Sequence, residues 1–132
     1  MKLLLDTHIW LWTHREPSKL TSEVHQSIAD PENDLWLSPI SVWELVLLLE
    51  KRRVILLEEM NSWIEKSKKE LSLREAAFSW AVADELRYTM LDHQDPADRF
   101  LVATAKVYDL TLVTSDERLV RVPGLSVLAN RL

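Results

Sequence analysis

Lys2-Leu3-Leu4-Leu5-Asp6 opens this chain with an apolar run that stops on an acid. The run is too short for a helix and reads as a buried strand, with Asp6 just past its carboxyl end. The same phrase returns near the other terminus: 111–114 reads as a strand, and Thr114-Ser115-Asp116 carries the chain off its end. Between them, Leu35-Trp36-Leu37 is a further strand candidate. It runs into Ser38-Pro39, a helix cap followed by proline at the first helical position. Strands alternating with helices imply a doubly wound, mainly parallel sheet covered on both faces, a single α/β domain over residues 1–132.

Working outward from Asp6, a short helix over 7–14 carries Ile9, Trp10, Leu11 and Trp12, and Pro17-Ser18 ends it. Thr21 is placed to cap a second helix running through Ile28, and Asp30-Pro31-Glu32-Asn33-Asp34 is a turn. The helix opened by Ser38-Pro39 extends to about Lys51 and is apolar on nearly every side, which means burial on several faces or a partner. Residues 53–57 read equally as strand or extended linker. An amphipathic helix follows around Met60, Trp63, Ile64 and Ser67. Residues 74–88 then read as a helix that buries Ala77, Phe78, Ala81, Val82 and Leu86. Asp92-His93-Gln94 is a polar loop before Asp95-Pro96, a second cap-and-proline start, and the helix beyond holds Phe100, Leu101, Ala103 and Val107. One helical turn over 116–120 and a last strand over 125–128 close the chain. Of six tryptophans, Trp43, Trp63 and Trp80 fall at core-like spacing. Trp10 and Trp12 cannot share one helix face, so one of that pair is expected to meet a partner.

Composition removes several function classes. With no cysteine, there is no disulfide framework, thiolate zinc site or cysteine nucleophile, and a reducing, cytoplasmic location is expected. A lone glycine, Gly124, rules out Gly-rich phosphate cradles. The apolar start is too short for a signal-peptide core, and no run of about 18 apolar residues exists to span a membrane. The net charge of −5 argues against a generic basic coat for nucleic acid. Setting aside five carboxylates as a cation site, however, would leave acids and bases balanced. The acidic total is therefore compatible with an RNA substrate.

Five acids are candidates for such a site. Asp6 and Asp116 lie just past strand ends, where open parallel sheets place their sites; each also reads as an ordinary helix cap. Glu44 is the only charged residue between Asp34 and Glu50, set among Trp43, Leu45 and Val46. A buried carboxylate there must meet a cation, a donor cluster, solvent or a metal, an ion pair with Arg99 being the structural alternative. Asp95 and Asp98 stand three apart at a helix start and can face one point, with Arg99 beside them able to orient a carboxylate. Several carboxylates on one cleft suit Mg²⁺, which binds oxygen ligands and keeps water and phosphate. The histidines His8, His14, His25 and His93 show no zinc spacing.

Taken together, L-L-L-D-T-H at 3–8, S-V-W-E-L at 41–45, H-Q-D-P-A-D-R-F-L-V-A-T-A at 93–105 and L-V-T-S-D at 112–116 resemble a PIN-domain ribonuclease of the VapC-like toxin type. The resemblance extends from Met1 to about Leu128. It implies a single PIN-like domain with its acids gathered at one edge of the strands, and it maps the family's acids onto Asp6, Glu44, Asp98 and Asp116. Asp95 matches the aspartate before proline, and Thr114 resembles the hydroxyl residue that supports the site. Ala97 stands where many relatives carry a large aromatic residue, and 51–53 lacks the glycine often found where this helix ends.

The expected activity is Mg²⁺- or Mn²⁺-dependent endonucleolytic cleavage of RNA. Arg15, Arg52, Arg53 and Arg118, with Lys66, Lys68 and Lys69, are candidates for the substrate backbone; a solvated helix face also accounts for the lysines. The resemblance further implies a homodimer and a cognate antitoxin whose helical segment blocks the site. A phosphoacceptor receiver domain is the alternative from another class, but it resembles two adjacent acids after the first strand and a late lysine, and Asp6 is followed by Thr7-His8. A catalytically silent PIN-like binding module is the other alternative.

Overall fold

The computed structural model describes residues 1–92 and 95–132. Five parallel strands form one sheet in the order β3-β2-β1-β4-β5, namely β1 Lys2–Leu5, β2 Asp34–Leu37, β3 Arg74–Glu75, β4 Thr111–Thr114 and β5 Val127–Ala129. β1 lies at the centre, pairing Leu3 with Leu35 on one side and Leu4 with Leu112 on the other. From β1 the chain winds outward to β2 and β3, then returns to β4 on the opposite flank. The strand order therefore reverses between β1 and β4, which is where such sheets open a crevice.

Side-chain alternation along the strands feeds two cores. Leu3, Leu5, Leu35, Leu37 and Val113 face α1 (Thr7–Arg15), α2 (Ser22–Ala29), α3 (Pro39–Glu50) and α4 (Met60–Glu70), meeting Ile9, Trp10, Val24, Leu45 and Ile64. Leu4 and Leu112 face the other way, onto Leu101, Val102 and Ala105 of α6 (Pro96–Tyr108) and Leu119 of α7 (Glu117–Val120). Among the described residues no helix is long and apolar enough to cross a membrane.

Helix starts follow the caps legible in the sequence. The side chains of Asp6, Thr21, Ser38, Asp95 and Asp116 each accept from a backbone N–H of the helix they open. Helix ends are less ordinary. After α3, Arg52 N–H donates to Leu49 O and Arg53 N–H to Leu48 O, a Schellman closure that puts Arg52 at φ 55°. The same paired bonds close α4 through Ser72 (φ 49°) and α6 through Asp109 (φ 54°). A chain with one glycine thus makes three left-handed turns with L side chains, Arg52, Ser72 and Asp109.

The helix expected over 74–88 is corrected. Arg74 and Glu75 pair with Trp36 and Leu37 as edge strand β3, and Ala76 N–H donates to Leu37 O at 2.9 Å. The helix α5 is confined to Trp80–Glu85, capped by Ser79, with a 3-10 turn at Leu86–Tyr88. Sheet pairing overrides the helical pattern here, so Ala76 and Val82 are buried, whereas Ala77, Phe78 and Ala81 are exposed. Trp80 is 95% exposed and Trp43 50% exposed, against their core-like spacing. Trp63 does pack, edge-on to the fully buried Trp10 at 5.1 Å between centroids. Trp12 is half-buried under Lys19. Residues 53–57 are neither strand nor helix. The final strand sits at Val127–Ala129, two residues later than its expected start. α3 buries Ser41 and Leu45 but exposes Trp43 and Val46, so its apolar coat is not all core.

Candidate active site

Four acids from separate parts of the chain meet at the carboxyl ends of the strands, around the reversal between β1 and β4. Asp6 follows β1, and its backbone N–H donates to Val113 O of β4. Its carboxylate is held at both oxygens: Oδ1 accepts from Thr7 N–H at 2.7 Å, and Oδ2 accepts from Thr114 Oγ1 at 2.6 Å. The Thr114 oxygen in turn accepts from Asp116 N–H at 3.0 Å, so one fully buried hydroxyl ties the acids after β1 and β4.

Glu44 enters from the second turn of α3, where Thr7 Oγ1 lies 2.5 Å from its Oε1. Asp98, on the first turn of α6, is 7% exposed, and its Oδ2 stands 3.9 Å from Arg118 Nη2. That guanidinium grips Asp116 as a fork, Nε to Oδ1 at 3.1 Å and Nη2 to Oδ2 at 2.8 Å. The acids therefore stand in a linked series: Glu44, Thr7, Asp6, Thr114, Asp116, Arg118, Asp98.

Burial pushes the Asp6 carboxyl above its ordinary value, with Thr114 and the Thr7 N–H working the other way and Asp116 adding repulsion. Glu44 is likewise raised, first by burial, opposed by Thr7, then by repulsion from Asp6 and Asp95. Four acids are thus coupled by charge, Asp6 with Asp116 and Glu44 with Asp6 and Asp95. Asp95 itself caps α6, its Oδ1 accepting from Ala97 N–H at 3.0 Å.

The donor set is all oxygen and negatively charged, the chemistry of a hard dication. A cation already stands at this cluster: Arg118 interacts with Asp116 first and with Asp98 and Asp95 beyond it. Among the described residues no three carboxylates form a ready-made ion cage. The side chains of Thr7, Thr114 and Arg118 link the acids to one another.

Other expected site residues lie elsewhere. The Arg99 guanidinium donates to the carbonyls of Thr89 at 2.8 Å and Leu86 at 2.6 Å, so it braces the segment after α5 where a carboxylate contact was expected. Arg15 ends α1 and donates to Ile55 O, while Arg52 and Arg53 follow α3. Helical rise puts Arg15 and Arg52 about 12–14 Å along their helices from Asp6 and Glu44, at the far ends from the acids. Only Arg118 of the four stands at the acids. Lys66 and Lys68 pair with Glu58 and Glu65 on an exposed helix face. His8 is exposed, and His93 lies outside the described residues. Two polar residues escaped the sequence reading, Thr7 and Ser41. The available signal was their place in D-T and in S-x-x-E, which puts Ser41 and Glu44 on one helix face.

A model of the PIN domain matches residues 3–125. The chain belongs to the PIN domain family. A curated PIN-type relative, Ribonuclease VapC22 of Mycobacterium tuberculosis, is 32% identical over 120 residues, covering 89% of this chain and 88% of the relative. Among solved structures, VapBC2 from Rickettsia felis bound to a promoter DNA fragment matches with TM-score 0.72 and 18% identity, over 99% of this chain and 100% of that one. A toxin–antitoxin complex from Klebsiella pneumoniae matches with TM-score 0.61 and 20% identity, over 96% of each chain. These two likenesses establish the PIN fold, and the receiver-domain alternative falls with them.

Proposed function

We propose that this PIN-domain protein is a metal-dependent endoribonuclease and the toxin of a toxin–antitoxin pair. The observation that carries the reading is the linked series of Asp6, Glu44, Asp98 and Asp116 at the strand-order reversal. The relative named Ribonuclease VapC22 supports RNA as the substrate class. Asp6, Glu44, Asp98 and Asp116 would hold Mg²⁺ or Mn²⁺, with Asp95 close enough to add charge. What such an ion supplies when bound is Lewis acidity toward phosphate and water. Thr114 and the Thr7 N–H hold the Asp6 carboxylate at both oxygens and so fix its rotation. Arg118, 58% exposed at its side chain, is placed to meet a phosphodiester oxygen once Asp116 has another cation. Acting on RNA, the protein would work in the cytoplasm.

Exposed apolar side chains are available to the two protein partners, an antitoxin helix and a second copy of this chain: Trp43 and Val46, three apart on α3, and Phe78, Trp80 and Met90 around α5.

The test is to incubate partner-free protein with total RNA in Mg²⁺ or Mn²⁺, beside chelator and Asp98→Asn controls, and to map the cut ends. Discrete cuts lost in both controls are expected. Folded protein that binds Mn²⁺ in neither calorimetry nor electron paramagnetic resonance would overturn the metal site.

A further inference from the structure

Thr7 touches both acids on one side of the cleft. Its backbone N–H donates to Asp6 Oδ1 at 2.7 Å, and its hydroxyl lies 2.5 Å from Glu44 Oε1 and 2.9 Å from Ser41 Oγ. A hydroxyl carries one proton, and an ionised carboxylate can only accept. The Thr7 hydroxyl is thus aimed at two acceptors, with the Glu44 oxygen at the shorter distance and the Ser41 oxygen beyond it. The three side chains form one cluster. Its two hydroxyl residues are sealed from solvent, Thr7 at 1% exposure and Ser41 at 0%.

The burial matters. A hydroxyl inside α1's first turn is sterically fixed, with its methyl group packed, so it offers Glu44 one direction only. Glu44 is otherwise a long side chain with three rotatable bonds on an element different from Asp6. On the α1 side it is Thr7 that relates the two carboxylates to each other. Thr114 performs the matching task on the other flank, between Asp6 and Asp116.

We propose that Thr7 is a positioning residue that holds Glu44 and Asp6 at a fixed separation for one cation, with Ser41 orienting the Thr7 hydroxyl. This rests on the nuclease reading for the cation but on the hydrogen bonds alone for the positioning. It also explains the paired motif signals: threonine directly after the first acid, and serine three residues before the glutamate.

The decisive comparison is Thr7→Val, which keeps the shape and removes the hydroxyl, against Thr7→Ser, which restores it. Mn²⁺ binding by calorimetry should weaken about 10–100-fold in Thr7→Val, the range for residues that orient a ligand from behind. Thr7→Ser should regain most of that loss, and Ser41→Ala should lose less than Thr7→Val. In a Glu44→Ala background, Thr7→Val should add little, because the acceptor of its hydroxyl is gone. Unchanged Mn²⁺ affinity in Thr7→Val, or a full additional loss on top of Glu44→Ala, overturns the proposal. A second measurement needs neither metal nor activity: the Glu44 side-chain carboxyl ¹³C resonance of metal-free protein. It should move in Thr7→Val and return in Thr7→Ser; a resonance that stays put overturns the positioning even if cleavage changes. If wild-type protein neither binds Mn²⁺ nor cuts RNA, the nuclease reading fails alone, and the resonance still decides Thr7. Should Thr7→Val not fold, Ser41→Ala carries the same two readouts with the same signs.

Discussion

Two hydrogen-bonded polar networks flank the sheet, and on geometry alone the wrong one looks more like an active site. Beneath α1, Ser67 Oγ lies 2.7 Å from His14 Nε2, and His14 Nδ1 lies 3.5 Å from Glu70 Oε2, the serine–histidine–acid order of a hydrolase. Yet Ser67 is 2% exposed and accepts from Trp10 Nε1 at 2.8 Å, so its oxygen is spent on satisfying a buried indole. The acids around Asp6 form no such familiar series, but they converge from four elements on the carboxyl ends of β1 and β4. What separates the two is charge. The first network neutralises its polar groups, whereas the second keeps like charges together at a cost that raises the pKa of Asp6 and Glu44.

Breaking each network should therefore give opposite phenotypes. Asp6→Asn or Asp98→Asn should reduce RNA cleavage by more than about 100-fold, beyond the range for residues that only orient a ligand, with the fold retained by circular dichroism. Ser67→Ala should leave cleavage intact and cost about 1–3 kcal/mol in urea unfolding, because the Trp10 indole N–H and the His14 ring lose their partner. Full activity in Asp98→Asn, or lost activity in a folded Ser67→Ala, would reverse the assignment.

The two networks should also titrate with opposite signs. Burial lowers the His14 pKa, with Glu70 opposing, so the folded protein favours neutral His14. That contribution is complete above the unfolded value near 6.5 and is lost as pH falls below it. Asp6 and Glu44 are raised, so their contribution is present at low pH and lost as pH rises through their folded values. Urea midpoints measured across pH should show the acid-side decline vanish in His14→Gln, and the alkaline-side decline shrink in Glu44→Gln or on adding Mn²⁺.

A smaller effect sharpens the role of the resident cation. A divalent ion held as proposed would compete with Arg118 for Asp116, and an exposed pair of this kind resists such an ion only weakly. Arg118→Gln should thus tighten Mn²⁺ binding by about two- to fivefold in calorimetry, while weakening RNA binding at low salt. Smallest of all, Arg52→Gly should stabilise the protein by about 1 kcal/mol or less, since it relieves a left-handed residue but loosens the unfolded chain. Cleavage should not change, because α3 places Arg52 at the end remote from Glu44.

Much of this molecule is decided by signals that act within one helical turn. Asp6, Thr21, Ser38, Asp95 and Asp116 cap helices because each sits beside the N–H groups that need an acceptor, a relation any short peptide would show. The apolar runs ending at Leu5 and Thr114 likewise announce strands, and the acids just past them are placed by the strand ends. Those readings, with the helix glutamate and the first-turn acid of α6, were open to inspection in the amino-acid order. Tertiary structure alone decided the rest. Residues 74–79 became an edge strand and its extension because β2 offered backbone partners some forty positions earlier, which left Phe78 and Trp80 in solvent. Arg99 turned to the carbonyls of Leu86 and Thr89 because the 3-10 turn after α5 brought them within its reach. Thr7 met Glu44 only because α1 and α3 pack side by side. Capping energy depends on neighbours in sequence, but pairing and burial depend on neighbours in space, and no local pattern specifies which those will be.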